Sequence, residues 1–310
     1  ALSQMTSRGV IYEGSYRKLI APKITEEKED SLYQIEIQFL PSDKISSLNR
    51  WLINFEEELD FNSKTHLSAQ FNRVSDPKYF EEIAQSNTSV GLLNSHLKLT
   101  HDDMENSNLL MEVLSESKQV VNKGGEIYTR AFEGSFYKKF NANPAMPITL
   151  KLLGTKFSHK WASKVTGSRL HGDLEISRKL KIGFPKITPR ANLALTNYSL
   201  KNKPNVKRTI FGSGVDFDFT VKSKTNLFDT ELNHRISPII SYNYRPKVAQ
   251  KDIPIFDTKD KNDSILTFGG ITSGDRYKGL DRTSNANDIT LSLESSYRGV
   301  YDNPEFDDDS

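Results

Sequence analysis

Two pairs of carboxylates are the first residues in this chain that suggest chemistry. Asp216 and Asp218 lie two apart, and so do Glu56 and Glu58. Side chains two apart on an extended strand point the same way. In a dry cleft such a pair divides the work of a general acid and a general base. On a hydrated wall both carboxylates are merely solvated, and the flanking sequence favours the wall. Six histidines are scattered at His66, His96, His101, His159, His171 and His234, none spaced from a second ligand as a metal site requires. His101-Asp102-Asp103 has the composition of a proton relay, but it reads as a charged turn between strands. A nucleophile elbow of the Gly-x-Ser-x-Gly type is absent, and so is a glycine-rich phosphate loop ending in Lys-Ser/Thr. Gly212-Ser213-Gly214 reads as the flexible start of a strand. With no cysteine, neither a disulfide nor a thiolate metal site can form within the chain. The residues point to no enzyme, no cofactor and no metal.

The densest polar segment is 246–287. It contains Ile253-Pro254-Ile255-Phe256-Asp257 and then Gly274-Asp275-Arg276-Tyr277-Lys278-Gly279-Leu280-Asp281-Arg282. Connections this long are functional or disordered. Asp and Arg beside glycines predict an ordered loop closed by charge-assisted hydrogen bonds, with a disordered loop as the alternative.

The elements that must position these residues are strands. From Thr65 to Asn72, Leu67, Ala69 and Phe71 alternate with His66, Ser68, Gln70 and Asn72. Between Leu170 and Ile182, Leu170, Leu174, Ile176, Leu180 and Ile182 alternate with charged and polar residues. Val215, Phe217, Phe219 and Val221 alternate with Asp216, Asp218, Thr220 and Lys222. A period of two makes each segment a strand with one apolar and one polar face. About thirteen strands are expected, at 8–20, 31–40, 49–61, 64–72, 88–100, 107–115, 126–139, 147–161, 169–182, 187–200, 209–222, 229–245 and 288–300. Several exceed the roughly 5–6 residues usual in globular sheets and suit the roughly 9–11 that a tilted strand needs to cross lipid. The fold class expected is all-β: an antiparallel up-and-down transmembrane β-barrel, with residues 1–310 forming one partial barrel domain.

Numbered alternately along such a meander, the longest connections, 73–87 and 246–287, fall on one side. The tightest, Asn62-Ser63 and 183–186, fall on the other. Membrane barrels have short periplasmic turns and long extracellular loops, so 73–87 and 246–287 are expected outside. Trp51, Phe61, Phe71, Tyr137, Phe140, Phe157, Trp161, Tyr242 and Tyr244 lie near strand ends, where interfacial girdles would place them; aromatic preference for strands is the alternative.

Composition agrees. Hydrophobic residues make up 36% of the chain, as a barrel with a wet lumen allows. No apolar run of about 18 residues exists, so no transmembrane helix is expected. Forty-two basic and 40 acidic residues leave +2, too little for bulk attraction to nucleic acid. The chain opens without an initiator Met or signal segment and ends on Asp309-Ser310 rather than an aromatic-ended strand, so a piece interior to a longer protein is expected.

Ser237-Pro238-Ile239-Ile240-Ser241-Tyr242-Asn243-Tyr244-Arg245-Pro246, then Gln250, Pro254, Phe256-Asp257, Gly279-Leu280-Asp281-Arg282 and Ala286-Asn287, resemble the C-terminal barrel signature of the LptD family of outer-membrane lipopolysaccharide-assembly proteins. Earlier pieces agree in order: Arg8-Gly9, Leu40-Pro41-Ser42-Asp43-Lys44, Arg50-Trp51-Leu52, Val74-Ser75-Asp76-Pro77 and Tyr79-Phe80. The resemblance implies a barrel of about 26 strands, of which this chain would hold about half. It also implies a periplasmic jelly-roll that joins the lipopolysaccharide bridge, and a plug lipoprotein, LptE, in the lumen. The family's cysteines and its lateral gate would lie elsewhere. It implies lipopolysaccharide and outer-membrane lipid as further partners and the outer membrane of a Gram-negative bacterium as location. Arg276, Gly279, Asp281, Arg282 and Asn287, together with Ser75, Asp76 and Pro77, become loop-ordering or partner-contacting residues. Residues that bind lipopolysaccharide are not assigned. Two other readings stay open: a porin-like or substrate-gated transport barrel, and a soluble secreted β-sandwich or adhesin.

Overall fold

The computed structural model describes residues 2–5, 7–20, 31–83, 91–121, 127–180, 182–227, 230–260 and 276–299. Its strands are β1 (Leu2–Met5), β2 (Gly9–Ile20), β3 (Ser31–Leu40), β4 (Arg50–Asn62), β5 (Thr65–Val74), β6 (Leu92–Asp103), β7 (Leu109–Val120), β8 (Thr129–Phe140) and β9 (Ile148–Ser158). They continue as β10 (Gly167–Ser177), β11 (Lys186–Leu200), β12 (Val206–Asp218), β13 (Val221–Leu227), β14 (Thr230–Arg245), β15 (Lys259–Asp260), β16 (Tyr277–Lys278) and β17 (Ala286–Gly299). Two single-turn helices, α1 (Tyr79–Glu82) and α2 (Met104–Ser107), interrupt them. Strands adjacent in sequence pair as neighbours from β1 to β12, then β12 and β13 both lie along β14, and β17 takes its other edge; the sheet has 15 strands. Among the described residues β1 and β17 do not pair with each other. This is the expected up-and-down antiparallel meander of a partial barrel.

Two differences from the sequence reading have local causes. The strand expected at 209–222 is broken at Phe219-Thr220: β12 pairs Ser213–Asp218 with β14, and β13 resumes at Val221↔Ile236. The Asp218 carboxylate accepts the Thr220 N–H at 2.8 Å, a local turn that competes with the ladder. The expected turn at His101–Asp103 is instead the end of β6, and α2 makes the turn, closed by Asn108 at φ 52°. Part of the long connection, 261–275, lies outside the described residues.

The chain forms two compact units, whose boundary runs through β8–β12. In the first (Ala1–Lys138, Lys151–Gly172, Thr196–Lys207), register stacks like on like. Ile35 pairs Phe55, which pairs Phe71; Leu59 pairs Leu67, which pairs Leu99, which pairs Val113. The alternate positions give Gln34–Glu56–Gln70–His96–Glu116. Cross-strand neighbours on one face stabilise a sheet, so each row strengthens a face of single character. In the second unit (Lys139–Leu150, Asp173–Leu195, Arg208–Ser310), Phe217 pairs Ile240, which pairs Leu291, while Asp216 pairs Ser241, which pairs Thr290.

Burial is inverted relative to a soluble sheet. On β10, Arg169 and His171 are buried while Leu170 on the opposite face is 62% exposed. On β17, Leu291 is 74% exposed. A water-soluble fold buries one face of each strand in apolar packing; here the apolar face is the open one. The one apolar cluster among the described residues sits at strand ends: Ile11, Leu40, Leu52, Val74, Tyr79, Ile83 and Val121.

Gly212 and Gly214, expected only to loosen a strand start, lie inside β12 and allow close approach. A Cβ on Gly212 would collide with the Asn192 amide, and one on Gly214 would lie 2.8 Å from the Tyr242 carbonyl oxygen. Phe157, expected in a girdle, faces the polar side and is buried beneath the Arg169 guanidinium, 4.9 Å from the ring centroid. Phe61, Phe71, Phe140, Trp161, Tyr242 and Tyr244 are exposed.

Candidate functional site

The first unit carries an ionic cap above its apolar cluster. Arg50, the first residue of β4, is 1% exposed. Its guanidinium grips Asp76 with two parallel bonds, Nε to Oδ2 at 2.9 Å and Nη2 to Oδ1 at 2.7 Å, and Nη1 reaches Glu82 Oε2 at 2.7 Å. A fork-on-fork contact of this kind is the strong, directional form of an ion pair. Arg50 Nη1 also lies 3.5 Å from Asp43 Oδ2. Arg8 completes the ring, with Nη1 on Asp43 at 2.7 Å and Nη2 on Glu82 at 3.2 Å.

Local sequence explains the placement. The 41–49 hairpin turns through Ser42 and Ser47 at φ 50° and 58°. Asp43 holds it, accepting the Ile45 N–H and the Ser46 hydroxyl. Asp76 accepts the Ser75 hydroxyl and the Lys78 N–H, an Asx-type turn that starts α1, with Pro77 between them. Tyr79, fully buried, donates to Gln38 Oε1 at 3.0 Å and lies under Arg50. The arrangement ties β2, the 41–49 hairpin, β4 and α1 into one lid over the strand ends. Of the expected residues, Ser75 and Asp76 lie inside it; Arg8, Asp43, Arg50 and Tyr79 were visible only as pieces of a resemblance. Glu82 gave no signal, because one more Glu in Glu81-Glu82 on a four-residue helix looks solvated.

Burial pushes the Asp43 and Asp76 carboxyls up, but Arg8 and Arg50 with the local hydroxyl and N–H donors outweigh it and hold both below the ordinary 3.8. A folded-state value below the unfolded one stabilises above the unfolded pKa and is lost as pH falls through the folded value. Protection of the Ile45 and Lys78 amides from hydrogen exchange is therefore expected to hold at pH 5 and to fall below about pH 3.8. Loss of protection already between pH 7 and 5 would mean that these carboxylates do not hold the lid.

The second unit orders the described part of the long connection around Asp281, which has 0% exposure. Its carboxylate accepts the backbone N–H groups of Phe256 and Asp257 at 2.7 and 2.9 Å. In return Thr258 Oγ1 accepts the N–H groups of Asp281 and Arg282 at 2.9 and 3.1 Å, and Asp257 Oδ1 accepts that of Leu280. Arg282 Nη2 donates to the Ile253 carbonyl at 2.8 Å. Beneath them the buried Arg208 donates to Gln250 Oε1 at 2.8 Å and to the carbonyls of Leu280 and Asp281. Gly279 sits at φ +88° with the Asp257 carbonyl 2.6 Å from where a Cβ would stand, so only glycine fits. Arg276 is peripheral, its N–H on Ser284 Oγ and its guanidinium 5.7 Å from the Tyr277 ring centroid. Asn287 stands apart on β17, accepting the Tyr242 hydroxyl at 3.0 Å. Arg208, Thr258 and Ser284 were not legible as site residues: each is an ordinary polar residue, and the partners of Arg208 and Thr258 lie tens of residues away.

Replacing Asp281 with Ala strands one buried and one half-buried N–H group and is expected to cost about 2–3 kcal/mol of local stability. Limited trypsin digestion should then cut at Lys251 and Lys278 severalfold faster, whereas unchanged cutting would make the loop's order independent of this carboxylate.

Members of both carboxylate pairs meet protein partners rather than each other. Glu58 accepts the Ser68 hydroxyl at 2.6 Å, and Asp216 Oδ1 lies 3.2 Å from Arg190 Nη2. The second unit's polar face encloses an open hollow of about 570 Å³ lined by Glu175, Arg190, Asn192, Asp216, Asn243 and Thr290, among others. Such a surface suits a hydrated, sugar-like or protein surface.

A protein-family model described as "LptD: LPS transport system D" matches residues 48–305. An LPS-assembly protein LptD of Neisseria meningitidis serogroup B is 26% identical over 308 residues, covering 95% of this chain and 37% of that protein. One from Neisseria gonorrhoeae is 27% identical over 301 residues, covering 93% and 36%. One from Pseudomonas putida is 21% identical over 350 residues, covering 94% and 36%. The chain thus spans little more than a third of the length of these curated relatives.

Proposed function

From the premise that this chain belongs to the LPS transport system D family, we propose that it forms part of the wall of an outer-membrane β-barrel that passes lipopolysaccharide into the outer leaflet. The observation that carries the reading is the two-faced meander: on successive strands the apolar face lies open while the polar face is hydrogen-bonded. A bilayer satisfies the first face and a wide aqueous lumen the second. The lumen admits a phosphorylated sugar headgroup while acyl chains stay in lipid. The protein acts as a conduit and not as a catalyst. Its membrane is the outer membrane of a Gram-negative bacterium. The polar face seats a plug lipoprotein of the LptE type, and a periplasmic bridge delivers the lipopolysaccharide. Each ordered lid, around Arg50 in the first unit and around Asp281 in the second, covers extracellular ends of its own unit's strands against large solutes; Ser75, Asp76, Pro77, Arg276, Gly279 and Arg282 serve them.

Single cysteines test the orientation on intact cells. Lys78, whose side chain is 73% exposed, and Lys251 should be labelled by an impermeant maleimide when changed to Cys, and Asn62 should not. Labelling at Asn62 with silence at Lys78 and Lys251 would invert the topology. The porin-like alternative shares the strands but gives no reason for the family match.

A further inference from the structure

Charge is balanced over the whole chain but not locally. Residues 151–172 and 196–207 carry Lys or Arg at eight positions and no Asp or Glu. All of them but the buried Arg169 are exposed, and set apart from Lys151 are Lys156, Lys160, Lys164, Lys201, Lys203 and Lys207. They gather at one set of strand ends. The 159–166 turn joins β9 to β10 and the 201–205 turn joins β11 to β12, and the Lys201 N–H donates to the Thr166 carbonyl at 2.8 Å, which ties the two turns together. Strand parity puts Lys156 on the open apolar face, in line with Leu152, while Thr155 and Phe157 on the other face are buried. Leu170, on the neighbouring strand, belongs to the same open face.

An exposed aromatic marks the level at which the cations stand. Trp161 is exposed in the 159–166 turn, with the Lys164 ammonium 5.9 Å from its ring centroid and the His159 imidazole 5.6 Å away. The turn beneath is built, not loose: the Trp161 N–H donates to His159 Nδ1 at 3.0 Å, the Tyr128 hydroxyl to the Val165 carbonyl at 2.7 Å, and Tyr128 packs edge-on to His159. Tryptophan favours the boundary between hydrocarbon and headgroups. Lysine at such a boundary extends its apolar stem along hydrocarbon and places its ammonium group at headgroup phosphates.

We propose that this lysine–tryptophan patch is a docking surface for the phosphorylated headgroups of the glycolipid leaflet surrounding the wall. The occupant follows from two features together: an unbroken run of positive charge, and its position directly above apolar residues that face hydrocarbon. A soluble anion would need only the first. The inference rests on the membrane reading above, and it adds a fixed rim of bound lipid to the conduit.

The test uses the full-length protein, delipidated in detergent, with bisphosphorylated lipid A as probe and native mass spectrometry as readout. At low salt the unaltered protein should bind lipid A at least tenfold more tightly than the same glycolipid stripped of both phosphates. Lys160→Gln/Lys164→Gln/Lys201→Gln/Lys203→Gln should abolish that preference. Lys179→Gln/Lys186→Gln, at the opposite ends of β10 and β11, should keep it. The quadruple Arg variant at the first four positions should also keep it. If the quadruple Gln variant fails to fold, Lys160→Gln/Lys164→Gln and Lys201→Gln/Lys203→Gln are each expected to lose severalfold. Binding within twofold of the unaltered protein in the folded Gln variants would overturn the proposal. So would equal binding of the dephosphorylated glycolipid, or complete displacement of lipid A by 10 mM inorganic phosphate, which would assign the patch to soluble anions. The cysteine-labelling experiment fails or succeeds separately, since it reads orientation in cells and this one reads lipid chemistry in detergent.

Discussion

Replacing Arg50 with Ala is expected to cost about 3–5 kcal/mol, among the largest effects of any single substitution in the chain. The guanidinium is almost wholly buried and answers three carboxylates, Asp43, Asp76 and Glu82. Its removal leaves Arg8 as the one remaining cation in the ring described above, and a buried carboxylate without its partner is far costlier than an exposed one. Arg50→Lys should recover only part of the loss, because an ammonium cannot make the paired contact with Asp76. Hydrogen exchange over residues 41–49 and 75–83, and the denaturant midpoint of the full-length protein in liposomes, are the measurements. A change under 1 kcal/mol for Arg50→Ala would place the network in solvent and remove it as the lid's fastening.

Arginine at Leu174 is expected to cost about 2–4 kcal/mol, while arginine at its neighbour Glu175 costs far less. The two positions are adjacent in β10 and differ in the face they present. Leu174 is on the open apolar face, and Glu175 lines the polar hollow. A lipid-facing charge must be desolvated, whereas a lumenal one stays hydrated. Folding of the two variants into liposomes gives the difference directly. Equal costs would mean that neither face meets lipid.

The strands were legible because a period of two survives in every one of them, and because an aqueous lumen keeps the polar half polar. Thr65–Asn72 and Val215–Asp218 needed no tertiary information. The break at Phe219-Thr220 was hidden, since the alternation runs through it unchanged and only the Asp218 side chain marks the turn. Phe157 was misplaced because an aromatic near a strand end does not disclose which face it occupies; its parity with Thr155 does. The lids were only half visible. Asp281 and Gly279 stood out beside arginines, but the groups that answer them, Thr258 and Arg208, carry no local pattern. Likewise Arg8, Asp43, Arg50 and Asp76 are separate short pieces in the sequence, and nothing in their spacing says that four strand ends bring them within 3.5 Å of one another. Ion networks assembled from distant turns are products of register, which the sequence holds only through the sheet as a whole.

The central claim is that the apolar face of this sheet meets lipid and the polar face meets water. Spin labels placed singly along β10 at Leu170, His171, Asp173, Leu174, Glu175 and Ile176, in the full-length protein reconstituted in liposomes, test it most directly. Collision with oxygen, which partitions into lipid, and with a water-soluble nickel chelate reads each position. The expected result is an alternation: Leu170, Leu174 and Ile176 accessible to oxygen, and His171, Asp173 and Glu175 accessible to the chelate or shielded from both. Six positions of uniform accessibility, or chelate collisions at Leu170 and Leu174 equal to those at Glu175, would contradict it.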